Sequence, residues 1–272
     1  MSAKLTLQDR CKTNRSRVEL CSLCSLCLCD SNKQNPKSQM TAKIKSILIA
    51  LGVVQIVLAM NFSGLAQEKS VNPGINDSFK DPKVQEYIEK FEIESREVFQ
   101  RRDAILAACA VKPGSTVADV GAGTGLFTRL FSKSVGDQGR VIAVDISKNF
   151  LEHIAQTNRA QDLRNIDTLL CTADSTQLQA ETIDFAFICD TYHHFEYPIK
   201  TMASLHKALR PGGRLVVIDF KRIEGQSTPW VMSHVRAGQE VFEKEILECG
   251  FVKLEQKGDL LKENYFLVFQ KP

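Results

Sequence analysis

The stretch Val117-Ala118-Asp119-Val120-Gly121-Ala122-Gly123-Thr124-Gly125 joins a short apolar strand pattern, residues 116–120, to the start of an amphipathic helix. Three glycines stand at alternate positions, and glycine permits a positive φ and a close approach of a ligand to the main chain. The start of the helix adds unpaired N–H groups and the positive end of the helix dipole. The stretch therefore predicts a nucleotide or nucleoside site at a strand-to-helix turn.

The spacing of the glycines separates this turn from two other nucleotide-binding turns. A dinucleotide-binding turn has the form G-x-G-x-x-G, whereas the third glycine here is Gly125 and position 126 is leucine. A phosphate-binding loop needs a lysine after its last glycine, and this turn has none. Asp119 places a carboxylate close to the ligand, which suits a cation better than a pyrophosphate.

Strand and helix patterns alternate regularly after the turn. Strands are predicted at residues 116–120, 140–145, 167–171, 183–189, 214–220, 252–256 and 264–270, with helices near 148–159, 199–209 and 241–249. Two apolar helical patterns precede the first strand. Their charges Arg96, Arg101 and Arg102 are interpreted as solvated, with the alternative that they face the site. This alternation predicts an α/β, Rossmann-like doubly wound, mostly parallel seven-stranded sheet with helices on both faces and leading N-terminal helices.

The motif D-V-G-A-G-T-G, followed by the acidic strand end V-I-A-V-D at residues 141–145, resembles the class I S-adenosylmethionine (SAM)-dependent methyltransferases. The resemblance covers roughly residues 80–272. It implies that the glycines pass under the methionine part and the ribose of SAM, and that four aspartates contact the ribose, the adenine amine, the methionine amino group and the positive charge. The cofactor-binding residues so implied are Asp119, Gly121, Gly123, Gly125, Asp145, Asp174 and Asp190.

The segment after the fourth strand, C-D-T-Y-H-H-F-E-Y-P at residues 189–198, would lie where a methyl acceptor meets the cofactor. It resembles the variable segment of small-molecule methyltransferases, including the ubiquinone/menaquinone-type and arsenite methyltransferase relatives. A histidine with a pKa near 6.5 can accept a proton from an acceptor. Tyr192, His193 and His194 are therefore the candidate catalytic residues. Because adjacent residues cannot easily both point inward, we expect at most one catalytic histidine, or two histidines that only shape the loop.

Three functions follow from these patterns. The first is a SAM-dependent methyltransferase acting on a small-molecule or lipid-like acceptor. The second is a non-catalytic domain of the same fold that binds SAM or a nucleoside. The third, a nicotinamide-dependent oxidoreductase, is disfavoured because the chain has neither G-x-G-x-x-G nor an evident Tyr-x-x-x-Lys pair.

The first 66 residues differ in composition from the rest of the chain. Residues 1–39 hold five of the nine cysteines and are interpreted as a disordered leader or a start codon placed too far upstream. The spacing at 21–29, C-x-x-C-x-x-C-x-C, has no second ligand cluster, so no metal site is predicted. Residues 40–66 have the basic, apolar and small-residue order of a signal peptide, with an N-terminal anchor as the alternative.

These assignments leave residues 67–80 as a linker and 81–272 as the methyltransferase domain. The signal segment predicts export to the periplasm or another extracytoplasmic site, or else anchoring, with membrane association through residues 44–60. Residues 1–66 carry nine Lys/Arg and three Asp/Glu, which leaves 26 and 29 in residues 67–272. That net charge of −3 gives no indication of a nucleic-acid partner.

Overall fold

Seven strands form one sheet in the described part of the chain, residues 67–272 of a computed structural model, in the order β3-β2-β1-β4-β5-β7-β6. Their bounds are β1 Thr116–Val120, β2 Arg140–Asp145, β3 Ile166–Leu170, β4 Ile183–Cys189, β5 Leu209–Phe220, β6 Val252–Gln256 and β7 Asn264–Gln270. Strand β7 runs antiparallel to both of its neighbours, and the other pairs are parallel. The predicted doubly wound, mostly parallel seven-stranded sheet is confirmed.

Eight α-helices accompany the sheet within the same residues. They are α1 Val84–Phe91, α2 Glu97–Gln100, α3 Arg102–Cys109, α4 Leu126–Val135, α5 Lys148–Ala160, α6 Pro198–Ala208, α7 Pro229–His234 and α8 Gln239–Glu248. The predicted helices near 148–159, 199–209 and 241–249 agree with α5, α6 and α8 to within about two residues at each end, where helices fray. The second leading pattern forms two helices, α2 and α3. Helix α7 was not predicted.

The two faces of the sheet are covered by different helices. Along β5, Leu215 and Val217 point to one face and Val216 and Ile218 to the other, since successive strand residues alternate. Apolar residues of α6 and α8 pack on the first face. Helices α3 and α4 cover the second. Both faces are therefore dry, as a parallel sheet requires.

The chain reverses direction across the sheet at β1, which lies between β2 and β4. In doubly wound sheets, ligands bind beyond the carboxyl ends of the strands at this switch point. The turn after β1 is left-handed at Gly121, Gly123 and Gly125, with φ of 76°, 54° and 79°. A Cβ at Gly125 would lie 2.7 Å from Cγ1 of Ile154, so α5 packs directly against the bare main chain.

The predicted linker, residues 67–80, lies against the segment that follows β4. The backbone N–H of Val71 donates to the carbonyl of Glu196 at 2.9 Å, and Nδ2 of Asn76 donates to the carbonyl of His194 at 3.0 Å. A 3-10 turn, Asp77–Phe79, completes the segment. These contacts correct the assignment of this stretch as a simple linker.

Within residues 67–272 no helix combines the length and the apolar character needed to cross a bilayer. The segments 1–39 and 40–66, with the apolar run at 44–60, lie outside the described residues. Export and membrane association therefore stay predictions from sequence.

Gly125→Ala is expected to lower the free energy of unfolding by about 2–5 kcal/mol. A left-handed φ costs alanine about 1–2 kcal/mol, and forcing a methyl group against Ile154 adds about 1–3 kcal/mol. The control is Gly114→Ala, which shares a φ of +80° but whose Cβ would meet nothing within 4 Å. Urea unfolding of both variants measures the difference. Equal losses would show that the contact with Ile154 is unimportant.

Candidate functional site

A cavity of about 590 Å³ opens at the carboxyl ends of the parallel strands. The glycine turn after β1, the end of β2 and the segment after β4 line it, and α1 forms a further wall. Its volume falls in the range of about 300–1,000 Å³ that is usual for small-molecule sites. The predicted cofactor region and the predicted acceptor segment thus share one cavity.

Asp145, at the end of β2, fastens the glycine turn while facing the cavity. Its Oδ2 accepts the N–H of Gly123 at 2.8 Å, and its Oδ1 accepts the N–H of Ser147 at 2.8 Å. Each oxygen keeps a further lone pair for a ligand hydroxyl. Burial raises the pKa of Asp145 to about 6.

Asp119, at the end of β1, is the second acid of the cavity and is only 3% exposed. Its Oδ2 accepts the hydroxyl of Thr128 at 2.6 Å. Burial, opposed in part by the Thr128 hydrogen bond and reinforced by the charge of Asp145, raises the pKa of Asp119 to about 7. A positively charged ligand in the cavity would stabilise the ionised form of both acids.

Asp190, the first residue after β4, also lines the cavity, as predicted. It forms an ion pair with Arg96, and its Oδ1 accepts the amide of Asn264 at 2.5 Å. Burial raises the pKa of Asp190, and the neighbouring guanidinium works against that rise. Arg96 is therefore a site residue, and interpreting it as a solvated charge was wrong.

Two predicted cofactor residues do not line the cavity. Oδ1 of Asp174 accepts the hydroxyl of Thr172 at 2.9 Å, and its other oxygen lies 3.8 Å from Nζ of Lys200. A tight turn bridging Thr172 and Ser175 directs Asp174 away, and Thr172 and Ala173 line the cavity instead. Gly125 serves the packing of α5 rather than ligand contact. In this structure neither residue lines the cavity.

Tyr192 is also misplaced by the prediction. Its side chain is fully buried, its hydroxyl lies 3.2 Å from Oε2 of Glu245, and its ring packs 5.0 Å from that of Phe242. Burial raises the pKa of Tyr192 well above its ordinary value. The residue belongs to the core beneath α8, so it is not a candidate catalytic residue.

His193 and His194 both line the cavity, contrary to the expectation that at most one would. They belong to a 3-10 turn, Tyr192–His194. With three residues per turn, successive side chains point about 120° apart, so Tyr192 enters the core while both imidazoles reach the cavity. Their ring centroids are 4.3 Å apart.

Asp219, near the end of β5, holds His193 in place. Its Oδ1 lies 2.7 Å from Nδ1 of His193, and its Oδ2 accepts the backbone N–H of the same residue at 3.1 Å. Burial disfavours the charged imidazole, but the carboxylate overcomes this effect, so the pKa of His193 is raised. Asp219 was missed, although it follows the same pattern as the other acids at strand ends.

His234, the last residue of α7, completes a group of three imidazoles. Its Nε2 lies 3.4 Å from Nε2 of His194. Burial, and then the neighbouring His193 and His234, lower the pKa of His194 to about 3. The overlooked signal for α7 was Thr228-Pro229, because Oγ1 of Thr228 accepts the N–H of Val231 at 3.3 Å and caps the helix.

Aromatic rings form the apolar wall around these imidazoles. Trp230 stacks on His234 with centroids 4.6 Å apart and planes 23° apart, and it is 53% exposed. Phe79, from the segment before α1, meets the ring of His194 edge-on at 5.2 Å. Aromatic rings thus flank the imidazoles at this end of the cavity.

Comparison with known proteins agrees with this geometry. Residues 118–217 match the family described as "Methyltransferase domain". The ubiquinone/menaquinone biosynthesis C-methyltransferase UbiE of Klebsiella pneumoniae subsp. pneumoniae is 34% identical over 119 residues, 41% of this chain and 45% of that protein. The chain therefore spans about half the length of the curated relatives it matches.

Solved structures share the fold. A SAM-dependent methyltransferase from Aquifex aeolicus matches with a TM-score of 0.62 and 24% identity, over 71% of this chain and 100% of that one. The [4+2]-cyclase SpnF matches with a TM-score of 0.55 and 16% identity, over 64% of this chain and 81% of that one.

Both likenesses support the fold alone, and the second protein is a cyclase. The glycine turn and the acids of the cavity are the features on which the resemblance to class I SAM-dependent methyltransferases rests. Together with the match over residues 118–217, they make the chain similar to the class I SAM-dependent methyltransferases, and SAM is the cofactor that such proteins use.

Proposed function

We propose that residues 81–272 bind SAM and transfer its methyl group to a small, mostly apolar acceptor that carries one ionisable group. One observation carries the proposal: a single cavity is lined by Gly121, Gly123 and Asp145 at one end and by His193 and His194 at the other. Curated relatives named as ubiquinone/menaquinone biosynthesis C-methyltransferases favour a phenolic, quinol-type acceptor as the first class to test.

The residues at the glycine end fit SAM. The free lone pairs of Asp145 suit the two ribose hydroxyls, because a carboxylate offers acceptors on both oxygens. Asp119 and Asp190 place buried negative charge where a sulfonium and an ammonium group need it. A Cβ at Gly121 would meet the side chain of Thr191 at 2.2 Å, so only glycine allows the segment after β4 to close on the turn.

SAM, when bound, supplies a methyl group that its sulfonium has already activated. The protein then has to align the acceptor and exclude water, and a well-aligned geometry accounts for much of the acceleration in such reactions. Phe79 and Trp230 would hold the apolar part of the acceptor, and the imidazoles its ionisable group. As the acceptor bonds to the methyl carbon, the carbon–sulfur bond breaks, the acceptor gives up a proton, and S-adenosylhomocysteine (SAH) leaves.

Two alternatives are outcomes of the tests below. A non-catalytic domain would bind SAM or SAH and label no acceptor. A nicotinamide-dependent oxidoreductase would bind NAD in preference to SAH when the calorimetry below is run with both ligands. Export through residues 40–66 is a separate proposal that rests on the order of basic, apolar and small residues alone.

Asp145→Asn is expected to weaken SAH binding by about 1.5–3 kcal/mol, or roughly ten- to hundredfold, because a charged acceptor for the ribose is lost. The matched control is Asp174→Asn, since Asp174 follows β3 but does not line the cavity. Its affinity should stay within about twofold of the parent. Isothermal calorimetry measures both, and an equal loss in the two variants would contradict the assignment of the ribose site to Asp145.

The preference for SAM over SAH is expected to rise with pH. Asp119 and Asp145, with pKa values of about 7 and about 6, are largely protonated below those values and ionised above them. Only SAM carries the sulfonium charge, and an interaction of about 1 kcal/mol corresponds to about fivefold in affinity. The dissociation constant of SAH divided by that of SAM, measured from about pH 5 to 8, should increase with pH and then level off.

The amino and carboxylate groups of the ligand do not affect this ratio, because SAM and SAH share them. In Asp119→Asn the rise should be smaller, since only Asp145 still titrates. A ratio that is independent of pH would mean that these acids do not face the sulfonium.

Methyl transfer itself is tested with labelled SAM and a metabolite extract, followed by simple hydroquinones and phenols. The parent protein should label one product class, and His193→Ala should label it about a hundredfold more slowly or worse while binding SAH normally, because the imidazole that Asp219 orients would accept the proton of the acceptor. The control is His206→Asn, whose ring packs on Phe251 away from the cavity. Tight SAH binding with no labelled product in any extract would favour the non-catalytic domain.

A further inference from the structure

Three histidines from two separate segments converge at the acceptor end of the cavity. His193 and His194 come from the 3-10 turn after β4, and His234 ends α7, 40 residues beyond His194. One ring nitrogen from each lies within 4.8 Å of the other two. Imidazole is the side chain that most often binds metals in proteins.

One of these nitrogen spacings matches the geometry of a tetrahedral zinc site. Zinc binds imidazole nitrogens at about 2.0–2.1 Å, and two such bonds at the tetrahedral angle set the nitrogens about 3.3 Å apart. The Nε2 atoms of His194 and His234 are 3.4 Å apart. They are already close to the separation that a shared ion would require.

His193 has the supporting contact that metal-binding histidines usually have. Its Nδ1 is held by the buried carboxylate of Asp219 at 2.7 Å, which also accepts the backbone N–H of the same residue. A carboxylate only accepts, so Nδ1 carries the proton and Nε2 is left with its lone pair. Such carboxylate–histidine pairs orient the ring and increase its basicity toward a metal.

We propose that His193, His194 and His234 bind a divalent transition-metal ion, with zinc as the best match, and that its fourth position opens into the cavity. Three histidines with an open fourth position are the usual arrangement of a catalytic zinc site, and imidazole ligands suit zinc, iron and copper better than magnesium or calcium. The sequence indicated no metal here because His234 lies far along the chain, in a helix that the sequence pattern did not reveal.

The use of this ion rests on the proposed methyl transfer. An ionisable hydroxyl of a phenol-type acceptor would take the open position, and a bound divalent ion lowers the pKa of such a hydroxyl. The released proton goes to solvent, and the ionised acceptor then bonds to the methyl carbon while the carbon–sulfur electron pair stays with sulfur. A nitrogen bound to a metal cannot accept a proton, so this role replaces base catalysis by His193.

The test measures metal content directly. Full-length protein is stripped with a chelator and titrated with Zn²⁺ by calorimetry, and then with Co²⁺ by absorption spectroscopy. His234→Ala is expected to bind one equivalent fewer than the parent. His153→Ala, which removes a histidine outside the cavity, should bind the same number as the parent. The cysteines of residues 1–39 are present in all variants, so their contribution cancels in the comparison.

Further variants guard against simple misfolding. His194→Gln, which keeps most of the side-chain volume, should lose the same equivalent, and both variants should still bind SAH. Asp219→Asn should bind as many zinc ions as the parent, but with an affinity about ten- to hundredfold lower, as is usual when the partner of a ligating histidine is changed. A cobalt spectrum with weak visible bands and no thiolate charge-transfer band in the difference between parent and His234→Ala would assign the ion to nitrogen ligands.

Equal stoichiometry and affinity in the parent, His234→Ala and His194→Gln would overturn the metal site and leave a group of hydrogen-bonded imidazoles. The failure of methyl transfer is distinguishable from this result. A lost zinc equivalent without any labelled product would support the metal site and remove the methyltransferase role. Full methyl transfer by the chelator-stripped protein would overturn the role of the ion in the reaction and leave the transferase intact.

Discussion

The carboxylate of Asp145 is the contact on which the cavity depends. It accepts one N–H from the glycine turn and one from the turn before α5, so it ties the ends of β1 and β2 together. Three left-handed residues in five positions would be a poorly determined turn without such a partner. The same two oxygens face the cavity, so the group that orders the main chain is also the one placed to recognise a sugar.

A second set of contacts attaches the leading helices to that turn. Both carboxylate oxygens of Glu92, just after α1, accept from Nη2 of Arg129 at 2.9 Å, and Oε1 also accepts the hydroxyl of Thr124 at 2.7 Å. Arg129 in turn donates to the carbonyl of Thr124 at 2.8 Å. Because both charges are largely buried, the network fixes geometry more than it adds stability. It sets α1 over the glycine turn, where Tyr87 and Phe91 line the cavity.

The sheet could be predicted from sequence because a repeated alternation of strand and helix patterns leaves few topologies. Asp145 could be predicted because an acid at a strand end faces the switch point. The orientation of single side chains could not. Asp174 turns outward in a tight turn, and Tyr192 turns inward because a 3-10 turn directs each residue differently. Asp219 followed the pattern of acids at strand ends and was recoverable. His234 was not, since its position near His194 depends on tertiary packing.

Trp230 is the one tryptophan in the chain, and it stacks on an imidazole of the acceptor site while half of its surface meets solvent. The fluorescence intensity of an indole in that position depends on the charge of the imidazole beneath it and on whether a ligand occupies the site. Every photon of tryptophan fluorescence from this protein therefore originates beside His234. The site carries its own optical reporter, so occupancy can be followed in real time without a dye, a label or any knowledge of the acceptor.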